Sequence, residues 1–164
     1  DLGSTLVVET AEGLIQHNVE TRVQRSFIQG SEVLKSAPKL TRELQHIDWD
    51  DSTRNIYNLV RGLSPFPGAF TILEKDGQQT QLKIFFGEMR SDLHAAPGTV
   101  LSDGKTYLAI ATRDGALALT DIQLAGKKRM EVGAFLLGFR DPASYATVPG
   151  TSKAEIDKTK PEIE

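Results

Sequence analysis

Lys105-Thr106-Tyr107-Leu108-Ala109-Ile110-Ala111-Thr112-Arg113-Asp114-Gly115-Ala116-Leu117-Ala118-Leu119-Thr120-Asp121-Ile122-Gln123-Leu124 is the stretch on which the fold turns. Two runs of strand-forming residues flank Asp114-Gly115, and Asp-Gly supplies the left-handed torsions that a tight hairpin needs. Within the runs, Tyr107, Ala109 and Ala111 alternate with Leu108, Ile110 and Thr112, the period-two pattern of a half-buried strand. Working outward, Ala69 to Lys75 and Gln81 to Met89 have the same character, with Asp76-Gly77 between them, and Asp103-Gly104 precedes the quoted stretch. A short strand is expected at Thr99 to Leu101 as well.

Upstream of the strands, Asp50-Asp51-Ser52 offers a helix cap ahead of Ile56, Leu59, Val60 and Leu63, a helical stripe. It ends at Gly62 to Gly68, where Pro65 and Pro67 remove backbone donors and push the residues before them out of helical torsions. Downstream, Glu131 to Gly138, with Val132, Phe135, Leu136 and Phe139, predicts a short terminal helix laid on the sheet. Five or six short antiparallel strands with these helices imply a mainly β chain, an OB-fold-like Greek-key barrel with a helix near its start and a short C-terminal helix. Leu2, Leu6, Val7, Thr10, Leu14 and Ile15 mark a helix before it that needs a surface to pack on, and Asn18 to Pro38 reads as an extended connector. The expected organisation is residues 1–36 as a helix and linker belonging to a preceding domain, 37–140 as the barrel domain, and 141–164 as a polar tail, disordered beyond Gly150. The absence of an initiator methionine or signal pattern at Asp1-Leu2-Gly3 reads as a cut chain.

Composition narrows the function classes. With no cysteine among 164 residues there is no disulfide framework and no thiolate metal site. His17, His46 and His94 lack ligand-like spacing, and His46 and His94 are expected on the surface without a task. No apolar run approaches a membrane span, and a cytoplasmic location fits best. The formal charge of −3 gives no global attraction to nucleic acid. Residues 36–150 carry 13 basic and 13 acidic groups, so any basic site has to arise from arrangement.

Lys127-Lys128-Arg129 is the densest cationic cluster, set after a strand and ahead of the predicted helix at Glu131, where an anion would relieve crowded positive charge. A solvated charge run, with lysine stems covering apolar surface, is the plain alternative. Arg54, Asn58 and Arg61 share the helix face opposite Ile56, Leu59 and Leu63 and suit a phosphate track, or Arg61 pairs with Asp48, Asp50 or Asp51. Lys39 and Arg42 fall on a strand leading into the barrel, and Lys83 alternates outward from Leu82 and Ile84 towards solvent. Trp49 and Phe66 invite base stacking, but their apolar neighbours favour core or domain packing.

Several motifs carry a family likeness. Ala37-Pro38-Lys39-Leu40-Thr41-Arg42-Glu43, Ile47-Asp48-Trp49 and Ile56 through Thr71, including Ser64-Pro65-Phe66-Pro67-Gly68-Ala69, resemble the start of the C-terminal domain of methionyl-tRNA formyltransferases. The likeness resumes at Leu82-Lys83-Ile84, Pro97-Gly98-Thr99-Val100, Asp114-Gly115-Ala116-Leu117, Gln123 through Met130, and Phe135-Leu136-Leu137-Gly138. Residues 1–36 are similar to the last catalytic-domain helix and linker of that family. The resemblance implies a module that binds initiator methionyl-tRNA, and the candidate contacts are Lys127, Lys128, Arg129, Arg61, Lys39 and Arg42. A separate N-terminal catalytic domain would transfer a formyl group from 10-formyltetrahydrofolate to the methionine amine. That domain's asparagine, histidine, aspartate and SLLPxxxG-type loop are not found in this sequence, so the resemblance assigns no catalytic residue and no bound cofactor here, and implies an inactive fragment, expected to be monomeric. Sugar-nucleotide formyltransferases and formyltetrahydrofolate dehydrogenases share the tryptophan-helix-proline region, and a scaffold domain of that kind without an RNA role is the alternative. A protein-binding barrel that dimerises through an uncovered apolar face is a third reading.

Overall fold

The computed structural model describes residues 2–28, 30 and 39–151, and divides the chain into compact units at Asp1–Pro38 and Lys39–Glu164. In the first unit, helix α1 (Leu2–Ile15) buries none of its residues. Leu2, Leu6, Val7, Val8, Leu14 and Ile15 are all at least half exposed, and a 3-10 turn follows at Gln24–Phe27. The expected disorder beyond Gly150 concerns residues that lie, from Ser152 on, outside the described set. No helix among the described residues is long and apolar enough to cross a membrane.

The second unit opens with a single-turn helix, α2 (Arg42–Gln45), capped by the Thr41 hydroxyl, which accepts from the Leu44 amide. Lys39 and Arg42 therefore stand on coil and helix, not on the strand expected from sequence. Helix α3 (Thr53–Leu63) starts where the sequence places it, because Ser52 Oγ accepts from the Asn55 amide at 3.3 Å and satisfies one of the donors that a helix start leaves free. Ile56, Val60 and Leu63 are buried against the sheet, each contributing roughly 1.5–3 kcal/mol of transfer free energy. Beyond Leu63 the chain turns through Pro65 and Pro67, and the Gly68 amide donates back to Leu63 O at 2.9 Å. Gly68 sits at φ +84°, open to glycine and costly for other residues.

Seven strands follow among the described residues: β1 (Ala69–Lys75), β2 (Gln78–Arg90), β3 (Val100–Ser102), β4 (Leu108–Ala111), β5 (Ala116–Leu124), β6 (Met130–Glu131) and β7 (Ala146–Val148). Lys75 pairs with Gln78 across Asp76-Gly77, both at positive φ, a two-residue hairpin of the type the dipeptide predicts. Strand β2 begins earlier than its hydrophobic pattern suggests, since Gln78, Gln79 and Thr80 ladder with β1 despite their polarity. Strand β4 begins later. Asp103 Oδ1 accepts from the amides of Lys105 and Thr106, which holds residues 103–107 in a turn instead of a strand.

The sheet order is β3-β4-β5-β2-β1-β7, all antiparallel, with β6 pairing β5 off that path. An antiparallel bridge from Thr99 to Ala146 brings the two ends of the order together, so the sheet is a nearly closed barrel of the OB-like kind. Register shifts at Ile84 to Gly87 bend β2 round the barrel, and a Cβ on Gly87 would lie 2.8 Å from Ala118 O. Closure depends on β7, which lies within residues 141–164, the span read from sequence as a polar tail. Only three residues long and flanked by Tyr145 and Pro149, it gives no alternating apolar signal.

Helix α4 (Val132–Leu136) is shorter than the predicted Glu131 to Gly138. Glu131 and Met130 are drawn into β6, and Gly133 and Gly138 bring little helical preference to either end. Phe135 and Leu136 join the core formed by Ile47, Trp49, Ile56, Leu82, Ile84, Leu117, Leu119 and Ile122. Trp49 is a core residue, its Nε1 donating to the buried Thr71 Oγ1 at 3.0 Å.

Candidate functional site

The outer face of the barrel carries the cations. Leu82 and Ile84 are fully buried, so Lys83 between them points outward, in register with Phe70 of β1 on one side and Gln123 of β5 on the other. Its Nζ donates to Pro67 O at 3.2 Å and keeps two further donors. On the β1 side, Arg42 reaches over the Phe70 ring at 5.3 Å and donates to Gln81 Oε1 at 3.2 Å. On the β5 side, Gln123 Nε2 donates to Lys127 O at 2.9 Å and so ties this row to the β5–β6 turn. A shallow depression of about 240 Å³ lies between Gln81, Lys83, Gln123, Leu124, Ala125 and Gly126.

Lys127 and Lys128 occupy that turn, exposed, with Gly126 at φ +74° and the Lys127 amide bonded to Leu124 O. Among the described residues neither has a carboxylate within ion-pair distance. Arg129 is different. Its Nε donates to both oxygens of Asp121 at 2.9 Å, and its guanidinium lies 4.1 Å from the centre of the Phe85 ring and 5.8 Å from that of Phe86. The Asp121 hydrogen bond holds the guanidinium pKa above its usual value. The three cations thus do not act alike: among the described residues Lys127 and Lys128 have no carboxylate partner, whereas Arg129 is neutralised by Asp121 of β5. Nor do they abut a helix start, because β6 intervenes and α4 has only five residues.

Arg61 lies exposed on α3, its Nε donating to Asn58 Oδ1 at 2.9 Å. The acids that sequence spacing offered it are engaged elsewhere: Asp50 pairs with Arg113 through side chain and backbone, Asp51 accepts from Asn55 Nδ2, and Asp48 accepts from the Asp50 amide. Arg54 is exposed beside Arg90 and Asp114, and Lys39 is exposed next to Leu40. The structure therefore brings Arg42, Lys83 and Lys127 into one row, with Lys128 and Arg129 adjoining it along the chain.

Two further placements differ from the sequence reading. Lys83, assigned to plain solvent, stands in the middle of the row, and the signal for it is the cross-strand register with Phe70 and Gln123, which one strand's pattern does not contain. His46 is half-buried: it stacks on Phe70 at 4.9 Å and is paired with it in a parallel bridge. Burial lowers its pKa, with the Val148 backbone opposing and Arg42 adding to the shift.

Residues 39–140 match the family model described as formyl transferase, C-terminal domain. The chain belongs to that family. The matched region begins at Lys39, the residue at which the second compact unit begins. Among curated relatives, the methionyl-tRNA formyltransferase of Parabacteroides distasonis is 41% identical over 146 residues, covering 88% of this chain and 45% of its own length. That of Azobacteroides pseudotrichonymphae is 45% identical over 141 residues, covering 84% and 43%. This formyl transferase C-terminal domain chain thus spans less than half the length of those relatives. Among solved structures, HypX from Aquifex aeolicus in complex with tetrahydrofolic acid superposes with a TM-score of 0.55 at 25% identity, over 80% of this chain and 22% of that one. A variant of the same HypX gives 0.55 and 25%, over 80% and 23%.

Proposed function

We propose that this chain is the C-terminal part of a methionyl-tRNA formyltransferase and that it binds and positions initiator methionyl-tRNA. The chemistry belongs to an N-terminal catalytic domain that transfers a formyl group from 10-formyltetrahydrofolate in cytoplasmic translation initiation. In this reading the fragment acts as a monomer, binds no cofactor of its own and is inactive alone. The observation that carries the reading is the pair of lysines, Lys127 and Lys128, without a carboxylate partner among the described residues, on a turn tied through Gln123 to the row containing Lys83 and Arg42. A few local cations suffice for RNA contact in a chain whose overall charge is −3, because phosphate attraction is screened within about 10 Å at 0.1 M salt and so depends on nearby charges. Arg61 and Lys39 extend the contact surface, and Arg129 contributes less than its charge suggests because Asp121 occupies it.

The test is tRNA affinity over a salt titration, with wild type against Lys127→Ala/Lys128→Ala. Loss of two phosphate contacts weakens binding and flattens the plot of log affinity against log salt by roughly one unit per lysine. Identical affinity and slope for the two proteins rule the reading out. The HypX likeness favours one competitor, a scaffold domain of another folate-dependent formyltransferase, and for that domain a tRNA gel shift shows no complex.

A further inference from the structure

The loop between α3 and β1 holds the most exposed phenylalanine ring among the described residues, Phe86 on β2 being half exposed. Phe66 is 88% exposed, whereas Phe70 and Phe85, on the strands beside it, are at most 5% exposed. Pro65 and Pro67 fix the backbone torsions on either side of it. The loop is pinned at both ends: the Gly68 amide bonds to Leu63 O at 2.9 Å, and Lys83 Nζ donates to Pro67 O at 3.2 Å. A large apolar ring held out by so constrained a backbone loses little conformational entropy when something covers it.

What covers it is indicated by its neighbours. A Cβ on Gly68 would lie 3.4 Å from Phe85 Cε1 and 3.7 Å from Lys83 Cδ, so the loop abuts the cationic row. The adjoining row presents Lys83, Gln81, Gln123 and Arg42, polar and cationic side chains, where a protein partner of ordinary size would need a largely apolar centre. One flat ring beside a cation is what binds an unpaired nucleobase, whose face stacks on the ring while its phosphate meets the ammonium. The geometry points to Phe66 as a stacking platform for an unpaired base of the bound RNA, with Lys83 as the adjoining phosphate contact. This inference rests on the RNA-binding reading above.

The experiment uses the full-length protein and compares wild type, Phe66→Ala, Phe66→Tyr and Lys127→Ala/Lys128→Ala. The ligands are tRNA with its single-stranded 3′ end and a blunt RNA duplex without unpaired nucleotides. Phe66→Ala is expected to weaken tRNA binding on the order of tenfold at every salt concentration without changing the salt slope, because stacking releases no counterions. Phe66→Tyr keeps the ring and stays within about twofold of wild type, and blunt duplex binds wild type and Phe66→Ala alike. In Phe66→Trp, RNA quenches the new indole emission while buried Trp49 contributes a constant background. Unchanged tRNA affinity in Phe66→Ala while the lysine variant still loses affinity overturns the stacking site alone, and a drop in thermal midpoint with it assigns the ring to protein packing. Equal loss on blunt duplex also overturns it. If neither variant alters RNA binding, the tRNA reading falls with it.

Discussion

Arg129 and Asp121 form a two-point contact, with Nε 2.9 Å from both carboxylate oxygens, on a surface where Lys127 and Lys128 have no carboxylate partner among the described residues. The pair is partly exposed, 38% for the arginine side chain and 24% for the aspartate, so it contributes little to stability. Its consequence is electrostatic: one of the three adjacent cations is cancelled locally.

Asp121→Asn should therefore strengthen tRNA binding at low salt and steepen the salt dependence by up to about one unit, as Arg129 becomes available to phosphate. Fluorescence anisotropy across a salt series measures both. A weaker complex with an unchanged slope would show that the carboxylate aids binding by orienting the guanidinium, contrary to the cancelled-charge account.

Trp49 and Thr71 join α3's approach to the sheet through a buried hydrogen bond. Thr71→Val leaves the indole N–H without its partner in the core and should cost about 1–3 kcal/mol. Trp49→Ala adds a cavity and should cost about 3–5 kcal/mol. Urea unfolding, followed by tryptophan emission for the first variant and by circular dichroism for the second, measures these losses.

The barrel seam closes at Gly98, which sits at φ +82° and whose carbonyl accepts from Thr147 Oγ1 at 2.9 Å. A Cβ there would strike that same hydroxyl and occupy a torsion unfavourable to alanine. Gly98→Ala should destabilise the domain by roughly 1–3 kcal/mol. Hydrogen exchange should report the loss first at β7 and its partner amides in β1, and uniform protection across both proteins would contradict it.

Acid sensitivity follows from depressed carboxylates, Asp114 and Asp92 among them. The Asp114 carboxylate is held below the usual range, first by the Thr53 backbone amide and next by the Thr53 hydroxyl. Asp92 is lowered to about 2, principally by hydrogen bonds from Arg90. Both are depressed in the folded state, so their stabilisation is complete above the unfolded value near 3.8 and is lost as pH falls through the folded values. Stability should decline between about pH 4 and about pH 2. Asp114→Asn should lower the urea midpoint at neutral pH and flatten that decline, which chemical unfolding over a pH series records.

Much of this architecture is legible in residue order. Ser52 capping Ile56, Val60 and Leu63, and Asp76-Gly77 closing β1 on β2, depend on torsions and contacts within a few residues, which local sequence encodes directly. Strands β1 and β5 have the bounds that their apolar patterns predict. Strand β7 carries no such pattern and exists because β1 and Thr99, just ahead of β3, offer it partners.

The site divides the same way. That Lys127, Lys128 and Arg129 are contiguous, that the chain lacks thiol chemistry, and that its motifs are those of a formyl transferase C-terminal domain were set by the sequence alone. Which of those cations lacks a carboxylate partner, that Lys83 stands between Arg42 and Lys127, and that Phe66 faces out while Trp49 takes the core place its neighbours favour, were decided by tertiary structure. The reason is range: Trp49 meets Thr71 across 22 positions and Thr53 meets Asp114 across 61, and such partners are chosen by barrel register and burial, which no local pattern of charge or apolarity records.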